Sequence, residues 1–283
     1  GGVLAAAAIP SEAERLRLVP WSPALAAIAF EIGLGSNVVG ITTWTSLPAG
    51  ESRPVVGDAH SVHLEALLAV RPHLVVLQGE PPAGLQEAQK LQPALRVERV
   101  ELERLADIPR VARRLHAWAG GTSDRLPPAI EEFERTIEHY RARRPPLRRP
   151  RVLFVVGTER SLVGGPETFV GEMIALAGGE NAANGLPGRH RWNVVGIEHL
   201  SRSSPDLVIV HAPASECTAA EEWWRRRWAG LGERRVRVVG VSDPSWVQPS
   251  LQTAMRLVEL AELLEAAATS WPAPSGECSA RRG

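Results

Sequence analysis

Residues 63–76 read HLEALLAVRPHLVV, and residues 196–209 repeat this pattern as GIEHLSRSSPDLVI. A glutamate, two leucines, a proline and a valine coincide in register between the two stretches. Each stretch predicts a helix, a short loop and a buried strand. Many helix–loop–strand units share this general pattern, but the agreement of both the glutamate and the proline favours a duplicated structural unit. The chain is therefore predicted to contain two related halves.

Outward from the repeat, apolar strand-like runs alternate with helix-like runs along most of the 283-residue chain. This alternation is typical of an α/β fold, and we predict two Rossmann-like lobes with mainly parallel sheets. The length is sufficient for two domains of about 100–150 residues each. The predicted strands are Leu16–Val19, Val38–Thr42, Leu74–Gln78, Arg96–Val100, Val152–Val156, Leu207–His211 and Val236–Val241.

Asp124–Arg143 is a polar and charged segment whose apolar residues recur at helical spacing. It ends at Arg144–Pro146, where two prolines oppose further helix. We predict one long, rigid helix of about 20 residues, roughly 30 Å in length, that joins the two lobes. The predicted domains are an N-terminal α/β lobe at 1–122, the connecting helix at 123–146, a C-terminal α/β lobe at 147–269 and a disordered tail at 270–283.

Composition excludes several functional classes. Lys+Arg and Asp+Glu both number 32, and this zero net charge argues against nucleic acid as a partner. Cys217 and Cys278 have no metal-site spacing, and the polar tail around Cys278 argues against a structural disulfide. No run approaches ~20 apolar residues, so no membrane span is expected. The apolar opening, residues 1–9, is too short to be a complete signal peptide.

Catalytic signatures are scarce, since the chain contains no G-x-S-x-G, no H-E-x-x-H and no Walker loop. Polar and aromatic residues instead follow the predicted strands, where parallel α/β sheets bind their ligands. Tryptophan suits a ligand site that works by stacking, and equally suits core packing, while Thr43, Gln78 and Asp243 would orient a ligand by hydrogen bonds. The strand-end residues are Trp21, Ser22, Thr43, Trp44, Gln78, Glu80, Thr158, Glu159, Arg160, His211, Asp243 and Trp246.

His60 and His63 form an H-x-x-H pair near a predicted helix start. A protein-held metal ion would need further ligands, such as His211 or Asp243, and we predict neither a metal site nor a cofactor of the protein's own. In the plainer interpretation, His63 is an N-cap residue and His60 lies in a loop. A single axial bond from His60 to the iron of haem or the cobalt of a corrinoid is a further alternative.

Glu65 and Glu198 occupy matching positions in the first turn of matching predicted helices. A carboxylate there interacts favourably with the helix dipole, by about 0.3–1 kcal/mol. The dipole does not explain why both halves use the same residue. Two equivalent surface carboxylates could each dock on an arginine cluster of a symmetric partner through charge-assisted hydrogen bonds.

At these residues the chain resembles the periplasmic binding proteins of vitamin B12, haem and siderophore ABC importers, a group in which a rigid helical backbone joins two lobes. The resemblance extends from about Arg15 to Leu264. The segments that carry it are Leu18–Pro23, Gly33–Thr42, His63–Val75, Phe169–Asn181 and Ile197–Leu207.

The resemblance implies a monomeric, periplasmic or extracytoplasmic receptor, with or without a membrane anchor, that captures a small molecule in a cleft between its lobes. It implies that Glu65 and Glu198 engage arginines of the membrane-spanning ABC permease. In the vitamin B12-binding members, aromatic residues line the corrin site at the positions matched by Trp44 and Trp192. Together with Trp246, in the last loop of the cleft, these residues favour a corrinoid ligand.

Two alternatives to the corrinoid remain open at this stage. Within the same family, the ligand would be haem or a ferric siderophore. In another class, the chain would be a chelatase-like enzyme that uses the cleft. That activity would require converging metal or acid–base groups, for which the candidates are His60, Glu80, His211 and Asp243.

Overall fold

The computed structural model describes residues 15–158, 161–186, 191–230 and 236–268. The chain divides into two compact units. Unit 1 is drawn from the chain up to Glu138 and from Val247–Thr253, and unit 2 from His139–Trp246 and from Ala254 onward. The lobe boundaries expected from the sequence stay predictions, and the predicted tail at 270–283 lies outside the described residues.

Unit 1 contains two small parallel sheets. Its elements are β1 (Leu18–Pro20), α1 (Pro23–Glu31), β2 (Ile41–Thr42), β3 (Val55–Gly57), α2 (Leu64–Ala69), β4 (Leu74–Leu77), α3 (Leu85–Leu91), β5 (Arg96–Arg99) and α4 (Asp107–Trp118). One sheet has the order β1–β4–β5, and β2 pairs with β3 in the other. A parallel bridge between Leu18 and Val38 sets the two sheets side by side. Their strands therefore end on one common edge.

The core of unit 1 follows from the apolar character of its strands. All four residues of β4 are buried, as expected for a parallel strand that is covered on both faces. Ser22 begins α1 by accepting the backbone N–H of Leu25, and Pro23 occupies the first helical position, where its missing N–H costs little. The strand β3 was not predicted, because a three-residue strand with one exposed residue carries almost no periodic signal.

Helix α5 (Pro128–Ala142) is the long helix expected from the sequence, but it begins four residues later than Asp124. Its 15 residues correspond to about 22 Å rather than 30 Å. A proline is well accommodated at the helix start, whereas Pro145 and Pro146 lie just beyond the helix end. The division between the units falls inside this helix, after Glu138.

Unit 2 contains one six-stranded mixed sheet. Its elements are β6 (Arg151–Val156), β7 (Ser161–Gly164), α6 (Phe169–Leu176), β8 (Glu180–Asn181), β9 (Trp192–Val195), α7 (Ile197–Leu200), β10 (Leu207–His211), α8 (Cys217–Ala229), β11 (Arg237–Val241) and α9 (Thr253–Ala268), whose first residue belongs to unit 1. The sheet order is β11–β10–β6–β7–β9, and β8 also pairs with β6. Strands β6, β10 and β11 are parallel, as predicted.

Strands β7 and β9 add an antiparallel edge that the sequence did not reveal. Each has four residues, and neither alternates clearly between apolar and polar positions. Their pairing depends on contacts between residues distant in the sequence, such as Gly164 with Trp192. Among the described residues, no helix has the length and apolar character needed to cross a membrane.

Candidate ligand-binding site

Six residues predicted to contact ligand follow strands of unit 1, namely Trp21, Ser22, Thr43, Trp44, His60 and Gln78. Ser22 follows β1 and Gln78 follows β4, its parallel neighbour. The Ser22 hydroxyl donates to Oε1 of Gln78 at 2.6 Å, and Nε2 of Gln78 donates to the carbonyl of Leu102 at 3.4 Å. These two bonds hold the half-buried amide of Gln78 in one orientation.

Trp21 lies in the core of this edge rather than on its surface. Its side chain is only 6% exposed, and Nε1 donates to the carbonyl oxygen of Asp58 at 2.9 Å. The indole therefore supports the loop after β3 and leaves little ring surface for stacking. The sequence predicts that both Trp21 and Trp44 contact ligand, whereas the structure buries Trp21 and exposes Trp44.

The loop Asp58–Ser61 follows β3 and presents His60 to solvent. The Asp58 carboxylate accepts the backbone N–H groups of His60 at 2.7 Å and Ser61 at 2.8 Å, and the Ser61 hydroxyl at 2.9 Å. These bonds, first that from the His60 N–H, lower the pKa of Asp58. A fixed, ionised Asp58 thus organises the loop that carries the exposed imidazole.

Trp44 is the most unusual residue of the edge. The backbone N–H of Thr45 donates a hydrogen bond to the Thr42 carbonyl oxygen at 3.2 Å. This bond closes a four-residue turn with Trp44 at its third position. The φ angle of Trp44 is +73°, a value that turns of this kind usually assign to glycine. Its side chain is 85% exposed. A bulky residue in left-handed conformation costs roughly 1–2 kcal/mol, and strain of this kind concentrates at binding sites.

Thr43 connects this turn to the neighbouring loop. Its backbone N–H and its hydroxyl both donate to the carbonyl oxygen of Gly57, at 2.9 and 3.3 Å. Gly57 immediately precedes Asp58, so the turn with Trp44 and the loop with His60 are held beside each other. Sequence reasoning missed Gly57 and Asp58, although an Asp three residues before a Ser is a recognisable loop signal.

In unit 2, His211 ends β10 and Asp243 follows β11, its parallel neighbour. Burial lowers the pKa of His211, and the nearby Asp243 offsets part of this effect, so the imidazole is neutral at neutral pH. Partial burial opposes ionisation of Asp243, but the hydrogen bonds from Ser245 and the charge of Arg256 outweigh it and lower the pKa of Asp243. Asp243 therefore stays charged.

The predicted tryptophans of unit 2 belong to an aromatic cluster. Trp246 is only 2% exposed and stacks on Phe154 at 6.1 Å between ring centroids. Half-buried Trp192, on β9, meets Phe154 edge-on at 6.1 Å and also contacts Phe169. Trp192 thus keeps some open ring surface, whereas Trp246 supports the cluster from within.

Other predicted positions differ in how they are placed. Thr158 is half-buried after β6, while Glu159 and Arg160 lie outside the described residues. Exposed Glu80 pairs with Arg99 at 2.8 Å. Across the described residues, no three His, Cys, Asp or Glu side chains gather closely enough to hold a metal ion.

Glu65 and Glu198 are both exposed, and each lies in the first turn of its helix, α2 or α7. The repeat that contains them forms a helix, a loop and a buried parallel strand in both units, with β4 in one and β10 in the other. The internal repeat of the sequence is thus a repeat of structure.

The profile of the periplasmic binding protein family matches residues 18–223. This chain belongs to that family. The vitamin B12-binding protein of Pectobacterium atrosepticum is 22% identical over 234 residues, covering 78% of each chain. The periplasmic haem-binding protein RhuT of Roseiflexus sp. RS-1 superposes with a TM-score of 0.72 at 25% identity, covering 90% of this chain and 99% of the other.

A second solved structure, the periplasmic vitamin B12-binding protein BtuF of Vibrio cholerae, superposes with a TM-score of 0.68 at 16% identity. It covers 90% of this chain and 98% of its own. The predicted fold class, two α/β lobes joined by a long helix, is confirmed by these similarities. Members of this periplasmic binding protein family bind small molecules and work with ABC permeases.

Proposed function

We propose that this periplasmic binding protein captures a corrinoid and delivers it to an ABC permease. The observation that carries the proposal is Trp44, a strained and exposed indole at the carboxyl end of a parallel sheet. An 85% exposed tryptophan in a left-handed turn has no packing role that would offset its strain. A large, flat ligand would cover the indole, with Thr43, His60 and Gln78 beside it as polar contacts.

Titration with cyanocobalamin, followed by tryptophan fluorescence, tests this proposal. We expect saturable quenching at micromolar ligand, because a corrin ring would stack on Trp44 and absorb its emission. The haem alternative is favoured by His60, whose exposed imidazole lies on the loop beside the Trp44 turn, and by the similarity to RhuT. A haem titration that produces a Soret shift, abolished in His60→Ala, would replace the corrinoid with haem. Absence of both signals would contradict the proposal.

The paired glutamates provide a separate prediction about delivery. We propose that Glu65 and Glu198 each bind an arginine of the permease, through charge-assisted hydrogen bonds. The double variant Glu65→Gln/Glu198→Gln is expected to bind ligand normally but to lose at least tenfold in affinity for the permease, measured by co-purification with the permease in detergent. A buried charge pair that loses one partner usually costs 2 kcal/mol or more.

Glu87 offers a matched control, since it is also an exposed glutamate in the first turn of a short helix, α3. Glu87→Gln should leave permease binding unchanged. If Glu87→Gln weakens the complex as much as the double variant, the loss of affinity reflects net charge rather than position. The docking role of Glu65 and Glu198 is then refuted.

A further inference from the structure

A recess of about 340 Å³ lies in unit 2, at the end of α5 and near the start of β6 rather than its carboxyl end. Its walls come from the last turn of α5, the segment that leads into β6, the end of α6 and the last part of α9. The charged residues that line it are Arg141, Arg143, Arg144, Arg148, Arg149 and Glu265.

The charge of this recess is far from that of the whole chain. Among the described residues that line it, five are arginines and one is a glutamate, Glu265, which pairs with Arg143, whereas the complete chain has zero net charge. Like charges gathered around one recess repel each other, and a bound anion would relieve that repulsion. Guanidinium groups are suited to phosphate in particular, since their planar array of N–H donors matches its oxygens.

Contacts within the protein position Arg143 and Arg149. Arg143 donates to Glu265 at 2.5 Å and lies over the ring of Tyr140, 5.1 Å from its centroid. The hydrogen bond that Arg143 donates to Glu265 raises the pKa of Arg143. Arg149 donates to the carbonyl of Ala175 at 3.4 Å. These contacts reduce the entropy that would be lost when an anion binds.

The backbone of the recess is also restrained. Pro145, Pro146 and Pro150 fix three φ angles in the segment between α5 and β6, which limits the freedom of the arginines between them. Leu176 and Leu264 add an apolar wall. The volume is within the range of small-molecule sites, about 300–1,000 Å³, and the arginines around it are exposed to solvent and accessible to a ligand.

We propose that this recess is a second binding site, specific for a phosphate group that carries an apolar or ester substituent. The phosphate would meet the guanidinium groups, and its substituent would contact Leu176 and Leu264. Two sources share this chemistry: a soluble phosphate ester and the headgroup of an anionic phospholipid. The proposal does not depend on the identity of the ligand proposed for the strand ends.

The test compares wild-type protein with Arg144→Gln/Arg148→Gln, two exposed positions of the recess. Arg226→Gln/Arg227→Gln is the matched control, because it removes the same charge from exposed positions of α8 in the same unit. Binding of phenyl phosphate, a soluble ester with an apolar substituent, is measured by calorimetry at 0.15 M salt. Binding to phosphatidylglycerol vesicles, with phosphatidylcholine vesicles as reference, is measured by flotation. Circular dichroism verifies that both variants are folded.

We expect the recess variant to lose at least tenfold in affinity for one or both probes, and the control variant to lose less than twofold. Loss confined to phenyl phosphate identifies a soluble ester as the ligand, and loss confined to vesicles identifies a lipid headgroup. The proposal is overturned if the wild-type protein binds neither probe, or if both variants lose affinity equally.

Discussion

Trp44→Ala is expected to weaken binding of the strand-end ligand at least tenfold, which corresponds to about 1.4 kcal/mol or more. Exposed aromatic anchors that become covered by a ligand are typical hot spots of binding. The same change should not destabilise the free protein, because the indole is 85% exposed and loses few contacts. The measurement is ligand affinity from the fluorescence titration, together with the free energy of unfolding in urea.

Trp44→Gly removes the backbone strain together with the indole, since glycine adopts φ values near +73° without strain. We expect the free energy of unfolding of this variant to be about 1 kcal/mol higher than that of the wild type. Its ligand affinity should fall as much as that of Trp44→Ala. Trp118→Ala is the control for tryptophan loss, because Trp118 ends helix α4 rather than following a strand, and its ring lies under the guanidinium of Arg114. Unchanged ligand affinity in Trp44→Ala would refute the role of this residue.

Gly57→Ala is expected to destabilise the protein by about 1–3 kcal/mol, the usual cost of overpacking a tight site. A Cβ atom at this position would lie 2.5 Å from the carbonyl oxygen of Ser61 and 2.6 Å from Cζ2 of Trp21. Neither neighbour can easily move, because one is backbone and the other is a buried ring held by its hydrogen bond to Asp58. Urea denaturation measures the effect.

Ligand affinity should fall in the same variant, because the Gly57 carbonyl positions Thr43 and the adjacent loop carries His60. Gly196→Ala is the matched control, since a Cβ atom there would meet no atom within 4 Å. Its stability should remain within about 0.5 kcal/mol of wild type. Equal stability of the two variants would mean that the close packing around Gly57 is not rigid.

Much of the architecture was predictable because it depends on local patterns. Buried parallel strands such as β4 and β10 are continuous apolar runs, and the repeated glutamate and proline place both copies in register. The end of α5 follows from the prolines after it. The short strands β3, β7 and β9 were not predictable, since their pairing depends on partners elsewhere in the chain.

The candidate site was predictable in its location but not in its details. Strand ends on a parallel sheet indicate where Ser22, Thr43 and Gln78 lie, and the structure brings their elements together in unit 1. Residue type does not indicate which tryptophan faces solvent. The cleft between lobes and the contacts of each site residue with ligand stay predictions.

The sequence by itself determined the α/β class, the duplicated helix–loop–strand unit and the long helix, since hydrophobic periodicity and proline act over a few residues. Only the tertiary structure decided that Trp21 and Trp246 are buried while Trp44 is exposed at positive φ. It also decided that arginines after α5 face the ends of α6 and α9 around one recess. Exposure and recesses arise from packing between distant segments, and no local pattern encodes which segments will meet.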